Sequence, residues 1–201
     1  MHATIERPPA PAVRRVPAPA AAPSARTPRP AAGAAPRTAP PPQPVVARDE
    51  EFLVPESELL MSTTDRTGRI THCNAAFTHV SGYAMDELMG QPHNIVRHPD
   101  MPREAFKDLW TTIGHGRAWS GVVKNLRKDG RYYWVRAYVT PIMEHGKPVG
   151  YMSVRVKPTD NEVRAASALY ERLNNGTQGN AYLHAGSVRH HGLLNQLGKL
   201  Q

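Results

Sequence analysis

Cysteine is almost missing from this 201-residue chain: Cys73 stands alone. One thiol cannot close an internal disulfide or complete a multi-cysteine zinc site. Long apolar runs are missing too. No stretch approaches 18 apolar residues, so none reads as a membrane-spanning helix. No apolar core follows the N-terminus to make a secretory signal. These absences lead to the expectation of a cytoplasmic protein in a reducing compartment. The enzyme motifs with a clear mechanism are also absent: no phosphate loop, no glycine-rich dinucleotide fingerprint, no His-Glu-x-x-His and no serine elbow. A signalling or binding role, not catalysis, is the expectation. Acidic residues are scarce in the first quarter, where residues 1–48 hold 14 Ala, 13 Pro and seven Arg against the single acid Glu6. That segment carries +6 of the formal +8, and the remaining 153 residues, with 18 basic and 16 acidic groups, are near neutral.

Composition and pattern divide the chain into five stretches. Residues 1–48 form a low-complexity Ala/Pro/Arg arm without an aromatic residue, which cannot bury enough surface to offset its ordering entropy and is expected to be disordered. One reading makes the arm a basic contact for nucleic acid or anionic lipid. The other makes it a solvated tether, which the scattered Arg and the lack of Lys favour; no nucleic-acid partner is expected. Residues 49–58 are a connector, 59–157 a sensor-sized domain, 158–176 a helix and 177–201 a flexible tail.

The central domain has a definite order of elements. Residues 59–64 and 69–73 form two short strands about the Asp65-Arg66-Thr67-Gly68 turn. Asn74 caps a short helix that stops at Ser81-Gly82, and a helical turn over 84–89 ends at Gly90. Residues 91–102 are expected to be irregular, because three prolines exclude a long helix. A true helix follows, with Phe106, Leu109, Trp110 and Ile113 on one face and Pro102 in its first turn. Three strands over 118–127, 131–143 and 147–156 form an antiparallel meander. The fold class is therefore α+β, an antiparallel sheet with helices on one face. Thr159-Asp160-Asn161-Glu162 is a capping box for a helix whose Val163, Ala166, Tyr170 and Leu173 share a face. That helix serves either as an output element or dimer contact, or only to pack on its own domain.

Two places carry unusual chemistry. Arg97-His98-Pro99-Asp100 sets a permanent cation, an imidazole and a carboxylate within four residues on proline-stiffened backbone. Arg97 can grip a phosphate or carboxylate in bidentate fashion; His98 can hydrogen-bond a ligand or bind a metal; Asp100 can cap the next helix, pair with Arg97 or accept from a ribose. The plainer reading is capping with a local ion pair. Further on, Trp119, Gly121, Val123 and Asn125 share one strand face, an aromatic, a space and an amide in a row. A buried Asn needs partners for donor and acceptor alike. The pyrimidine edge of a flavin supplies both, and so does the nearby turn at Lys128-Asp129-Gly130. Trp110 and Trp134 are expected to be packing residues.

The runs Met61-Ser62-Thr63-Thr64-Asp65, Val80-Ser81-Gly82-Tyr83, Gly90-Gln91-Pro92-His93-Asn94, Val96-Arg97-His98-Pro99-Asp100-Met101-Pro102, Trp119-Ser120-Gly121-x-Val123-Lys124-Asn125 and Tyr133-Trp134-Val135-Arg136 closely resemble the N-terminal PAS domain of bacterial aerotaxis receptors. The resemblance covers about residues 59–175. It implies a PAS fold, a five-stranded antiparallel sheet wrapped by short helices around a ligand cleft. It also implies a non-covalently bound FAD whose redox state is sensed and passed to a chemotaxis partner. Carried across, Arg97, His98 and Asp100 support FAD binding, and Asn74, Trp119 and Asn125 match positions of the flavin pocket or its signalling face. In that family a membrane anchor, a HAMP linker and a methyl-accepting domain follow the PAS domain. The expectation here is a cut-down sensor or a short stand-alone protein acting through a homodimer or through a receptor's HAMP or signalling domain, with any membrane contact made through an anchor further on or through a partner. The alternatives are a ligand-free PAS interaction module and a haem PAS oxygen sensor using His98 or His115. Light-sensing flavin PAS domains carry Asn-Cys-Arg-Phe where this chain has Asn94-Ile95-Val96-Arg97, and Cys73 lies elsewhere, so a photoadduct is not expected.

Overall fold

The structure, a computed structural model, describes residues 44–190. The arm expected over 1–48 falls outside the described residues up to position 43, as does the end of the tail from 191. Strand β1 (Leu60–Asp65) alternates buried and half-buried residues and pairs with β2 (Ile70–Cys73) across the expected turn. The Asp65 carboxylate holds that turn by accepting from the backbone N–H groups of Thr67 and Arg69. Asn74 caps α1 (Ala75–Ser81), and Gly82, at φ 76°, ends it in the left-handed region where glycine is favoured. Helix α2 is a short turn, Met85–Leu88. The stretch expected to be irregular holds a single 3₁₀ turn, His93–Val96, directly after Pro92; one tight turn fits between Pro92 and Pro99 where a longer helix does not. Helix α3 (Arg103–Gly114) starts directly after Pro102.

Strands β3 (Trp119–Leu126), β4 (Tyr132–Glu144) and β5 (Lys147–Val156) form the meander, and the sheet order is β2-β1-β5-β4-β3. All pairings are antiparallel. The insert between β2 and β3 packs on one sheet face through Phe77, Val80, Leu88, Val96 and Ile113, all nearly inaccessible to solvent. Helix α4 (Asp160–Asn174) starts at the capping box, with the Thr159 side chain accepting from Glu162 N–H. It packs on its own domain: Leu169, Tyr170 and Leu173 are buried, and the Tyr170 ring stacks on Trp134 at 6.5 Å.

Two features depart from the expectation. The connector joins the sheet start, because Glu51 bridges Tyr132 in parallel and Phe52 N–H donates to the Tyr132 carbonyl at 2.7 Å. The Arg127 guanidinium covers the Phe52 ring at 3.9 Å and closes that corner. The first part of the tail is a hairpin, β6 (Ala181–His184) and β7 (Ser187–His190), where only a flexible tail was expected.

Candidate functional site

Between the sheet and its helical cover lies a narrow cleft with about 740 Å³ of open space counted out to its mouth. The face of α3 predicted to be apolar forms one wall through Phe106, Leu109, Trp110 and Ile113; Val123, Ala137 and Val139 form the other. Trp110 is thus a cleft residue and not simple packing: its ring meets Tyr151 edge-on at 5.6 Å and remains 43 % exposed. It also lies against the β1–β2 turn, where a Cβ on Gly68 would come within 2.9 Å of the indole.

The polar end of the cleft is built by β1 and β5. Period-two alternation turns Leu60, Ser62 and Thr64 of β1 and Tyr151, Ser153 and Arg155 of β5 to the same side, and the register sets Ser62 opposite Ser153 and Thr64 opposite Tyr151. Arg155 donates to Ser62 Oγ at 3.0 Å and to His93 Nε2 at 2.8 Å, and its guanidinium lies 5.2 Å from the Phe77 ring centre. Among the described residues no carboxylate pairs with it. Burial lowers its pKa to about 10, so at neutral pH it remains charged. Burial first, and the Arg155 charge second, push His93 down to about 3, so its imidazole is neutral. The polarity of the network follows: Arg155 donates, and Nε2 of His93 accepts from Arg155 and from the Ser62 hydroxyl, 3.1 Å away. Two further hydroxyls that line the cleft, Thr64 Oγ1 and Ser153 Oγ, are buried with no hydrogen-bond partner among the described residues. Unpartnered buried hydroxyls cost on the order of 1–3 kcal/mol each, and an unpaired buried cation costs more. A ligand with acceptors and partial negative charge relieves both.

The six residues singled out from sequence separate into two groups. Arg97 and Asn125 line the cleft, and their backbones bridge each other, tying the segment after the 3₁₀ turn to β3. Arg97 Nη2 donates to the Met101 carbonyl at 2.9 Å, and its Cζ lies 4.1 Å over the Phe106 ring. Burial, then the charge of Arg103, lower its pKa. Asn125 is buried and makes no turn bond to residues 128–130; its amide lies close enough to Tyr133 to oppose the upward push of burial on that phenol. The other four stand outside the cleft lining. Asn74 spends its side chain on backbone, accepting from Met61 N–H and Phe77 N–H and donating to the Leu59 carbonyl. His98 is buried against Tyr132, with Nδ1 accepting from Asp100 N–H at 3.2 Å. Asp100 neither caps α3 nor meets Arg97; it pairs with Lys124 at 2.7 Å, on a second groove beneath α4. Trp119 donates from Nε1 to Asp108 at 2.8 Å, and its own ring fills the space expected over Gly121. His115 is exposed.

Sequence reading missed Ser62, Thr64, His93, Ser153 and Arg155. A signal was present in β5, where Ser153 and Arg155 fall on the period-two row that Tyr151 marks as inward. A charged residue in a buried row is a site indicator.

An antiparallel sheet of this order, covered on one face by short helices over a part-polar cleft, defines a PAS-type domain, and the family described as PAS fold matches residues 70–155. Residues 70–155 therefore form a PAS domain, and that domain is similar to the one in aerotaxis receptors: the chain is 52 % identical over 141 residues to the aerotaxis receptor of Escherichia coli (strain K12), an overlap that spans 70 % of this chain and 28 % of that protein. A nitrogen fixation regulatory protein of Klebsiella pneumoniae is 27 % identical over 124 residues, covering 61 % of this chain and 24 % of that one. The chain thus spans about a quarter of the length of these relatives. Among solved structures, a light-oxygen-voltage domain studied with a flavin analogue superposes with a TM-score of 0.51 at 21 % identity, over 58 % of this chain and 89 % of that one. At that identity the likeness speaks for the fold.

Proposed function

We propose that this chain is the cytoplasmic sensor part of an energy-taxis system: residues 59–157 hold FAD without a covalent bond, and residues 158–176 help to pass its redox state to a chemotaxis signalling partner. The observation that carries the reading is the polar end of the cleft, where a charged Arg155, a neutral His93 and the unpartnered hydroxyls of Thr64 and Ser153 converge beside Asn125. An apolar-walled cleft suits a flat ring, and this donor set suits its heteroatom edge. The aerotaxis receptor likeness points the same way.

A bound flavin supplies reversible electron transfer with a change in charge and proton count. Arg155 stabilises negative charge entering the cleft, and Arg97 adds a second cation. Asn125, donor and acceptor at once, reorients its amide to whichever partner is offered; the two hydroxyls rotate likewise. The backbone bridge of Asn125 to Arg97 carries that change into the edge of the sheet, so two redox states favour two protein states. The role of His98, Asp100, Trp119 and Asn74 is to hold this frame. A haem reading is disfavoured because His98 and His115 lie away from the cleft and His93 Nε2 is already engaged. The surface for a second copy or for a receptor's HAMP or signalling module is the outer sheet face, where Tyr138, Ile142 and Met152 are each exposed by about two-fifths or more.

The test is the absorption spectrum of the purified chain. It should be yellow and release FAD on denaturation. Arg155→Leu should retain about tenfold less flavin or worse, while its flavin-free form still folds with stability lower by about 1–3 kcal/mol, since Ser62 Oγ and His93 Nε2 each lose a buried donor. A colourless protein that ignores added FAD would falsify the reading.

A further inference from the structure

The β6–β7 hairpin turns on Ala185 and Gly186, at φ 50° and 82°. Both lie in the left-handed region, which suits a two-residue hairpin but strains alanine. Something outside the hairpin has to hold it, and the holder is one carboxylate. Asp108 Oδ1 accepts from Ala185 N–H at 2.9 Å, and Oδ2 accepts from Gly186 N–H at 2.7 Å and from the Trp119 indole at 2.8 Å. An ionised carboxylate is acceptor-only, and three donors aimed at it form short, charge-assisted bonds. The turn sits so close to the edge strand that a Cβ on Gly186 would lie 1.8 Å from the Ser120 carbonyl oxygen.

Asp108 belongs to α3, the helix whose Phe106, Leu109, Trp110 and Ile113 wall the cleft. Trp119 opens β3, the strand that brings Val123 and Asn125 to the same cleft. One side chain therefore joins the cleft's helix, the cleft's strand and the chain beyond α4. We propose that Asp108 is a latch through which the state of the cleft governs docking of the 181–190 hairpin. Linkage makes the coupling reciprocal: what loosens the hairpin loosens α3 and the start of β3, and what rigidifies the cleft tightens the hairpin. The inference rests on the flavin reading only for what loads the cleft; the latch and its tie to α3 and β3 do not need it.

Hydrogen exchange on the full chain tests it. Asp108→Asn replaces one acceptor oxygen by a donor facing donors, and Gly186→Ala ejects the turn while leaving the carboxylate in place. Both should speed amide exchange across 181–190 by about tenfold or more, with a smaller rise in α3 and the first half of β3, and leave β1 and β5 protected. Protection in β1 and β5 also shows that each variant has folded, and Gly186, outside the five-stranded sheet, is the safer of the two. Unchanged hairpin exchange in both variants overturns the latch; hairpin release with α3 and β3 unaltered overturns the coupling. Added FAD should slow hairpin exchange in the unmodified chain and have no such effect in Asp108→Asn. Uptake without that effect also overturns the coupling. A chain that takes up no FAD overturns the flavin reading instead, and the two variants then decide the latch.

Discussion

His93 and Arg155 divide one hydrogen bond according to how far burial moves each. With the imidazole at about 3 and the guanidinium at about 10, the neutral acceptor and the charged donor are fixed across the physiological range. The folded-state pKa of His93 lies below its ordinary 6.5, so the unfolded chain binds the extra proton between those values. Stability is then complete above pH 6.5 and is lost as pH falls toward 3. Burial lowers His98 as well, so it adds to the loss with the same sign. The carboxylates that are held low, such as Asp129 at about 2, act later, below their ordinary range near 4. Unfolding free energies from urea titrations between pH 7 and 4.5 should therefore decline at up to about 1.4 kcal/mol per pH unit per histidine, and His93→Gln should flatten that decline. An unaltered slope in His93→Gln would show that the imidazole is already charged in the folded chain.

At the scale of elements, caps and turns were the most legible features. Asn74, Gly82 and the Thr159–Glu162 box mark their helix ends where sequence placed them, because capping is chemistry between neighbours. The β3 face was read as a row of aromatic, space and amide. The row exists, but the space belongs to Trp119 itself: a Cβ on Gly121 would meet that indole at 2.4 Å. Gly121→Ala should thus push the indole off its Asp108 partner and lower stability by about 1–3 kcal/mol, seen as a lower denaturant midpoint with the same slope. The β6–β7 hairpin was not legible. Ala-Gly is a weak turn signal next to Asn-Gly, and its anchor Asp108 stands 77 residues earlier in the chain.

The whole molecule separates its charge from its chemistry. Most of the +8 belongs to residues 1–48, whereas the cleft depends on two buried or half-buried arginines, Arg97 and Arg155. Among the described residues, the backbone hydrogen bonds that fasten the N-terminal side to the sheet start at Arg48, whose N–H donates to the Gly130 carbonyl at 2.7 Å. A chain without residues 1–43 should keep its thermal midpoint and its flavin content while losing any salt-dependent binding to anionic vesicles. A loss of flavin on that deletion would place part of the site in the arm.

Sequence by itself determined the order of elements from β1 to α4, the antiparallel meander and the helix ends at Asn74, Gly82 and Thr159, because alternation, capping and turn chemistry act over a few residues, and its rare motif runs carried the PAS resemblance. It also singled out Arg97 and Asn125, one through a rare run and one through strand period. Only the tertiary structure decided that Ser62, Thr64, Ser153 and Arg155 share a cleft with His93, and that Asn74, His98, Asp100 and Trp119 are occupied elsewhere. The physical reason is the sheet order: it sets β1 beside β5, some 90 residues apart. Pairing register between distant strands is a long-range contact that no local pattern records.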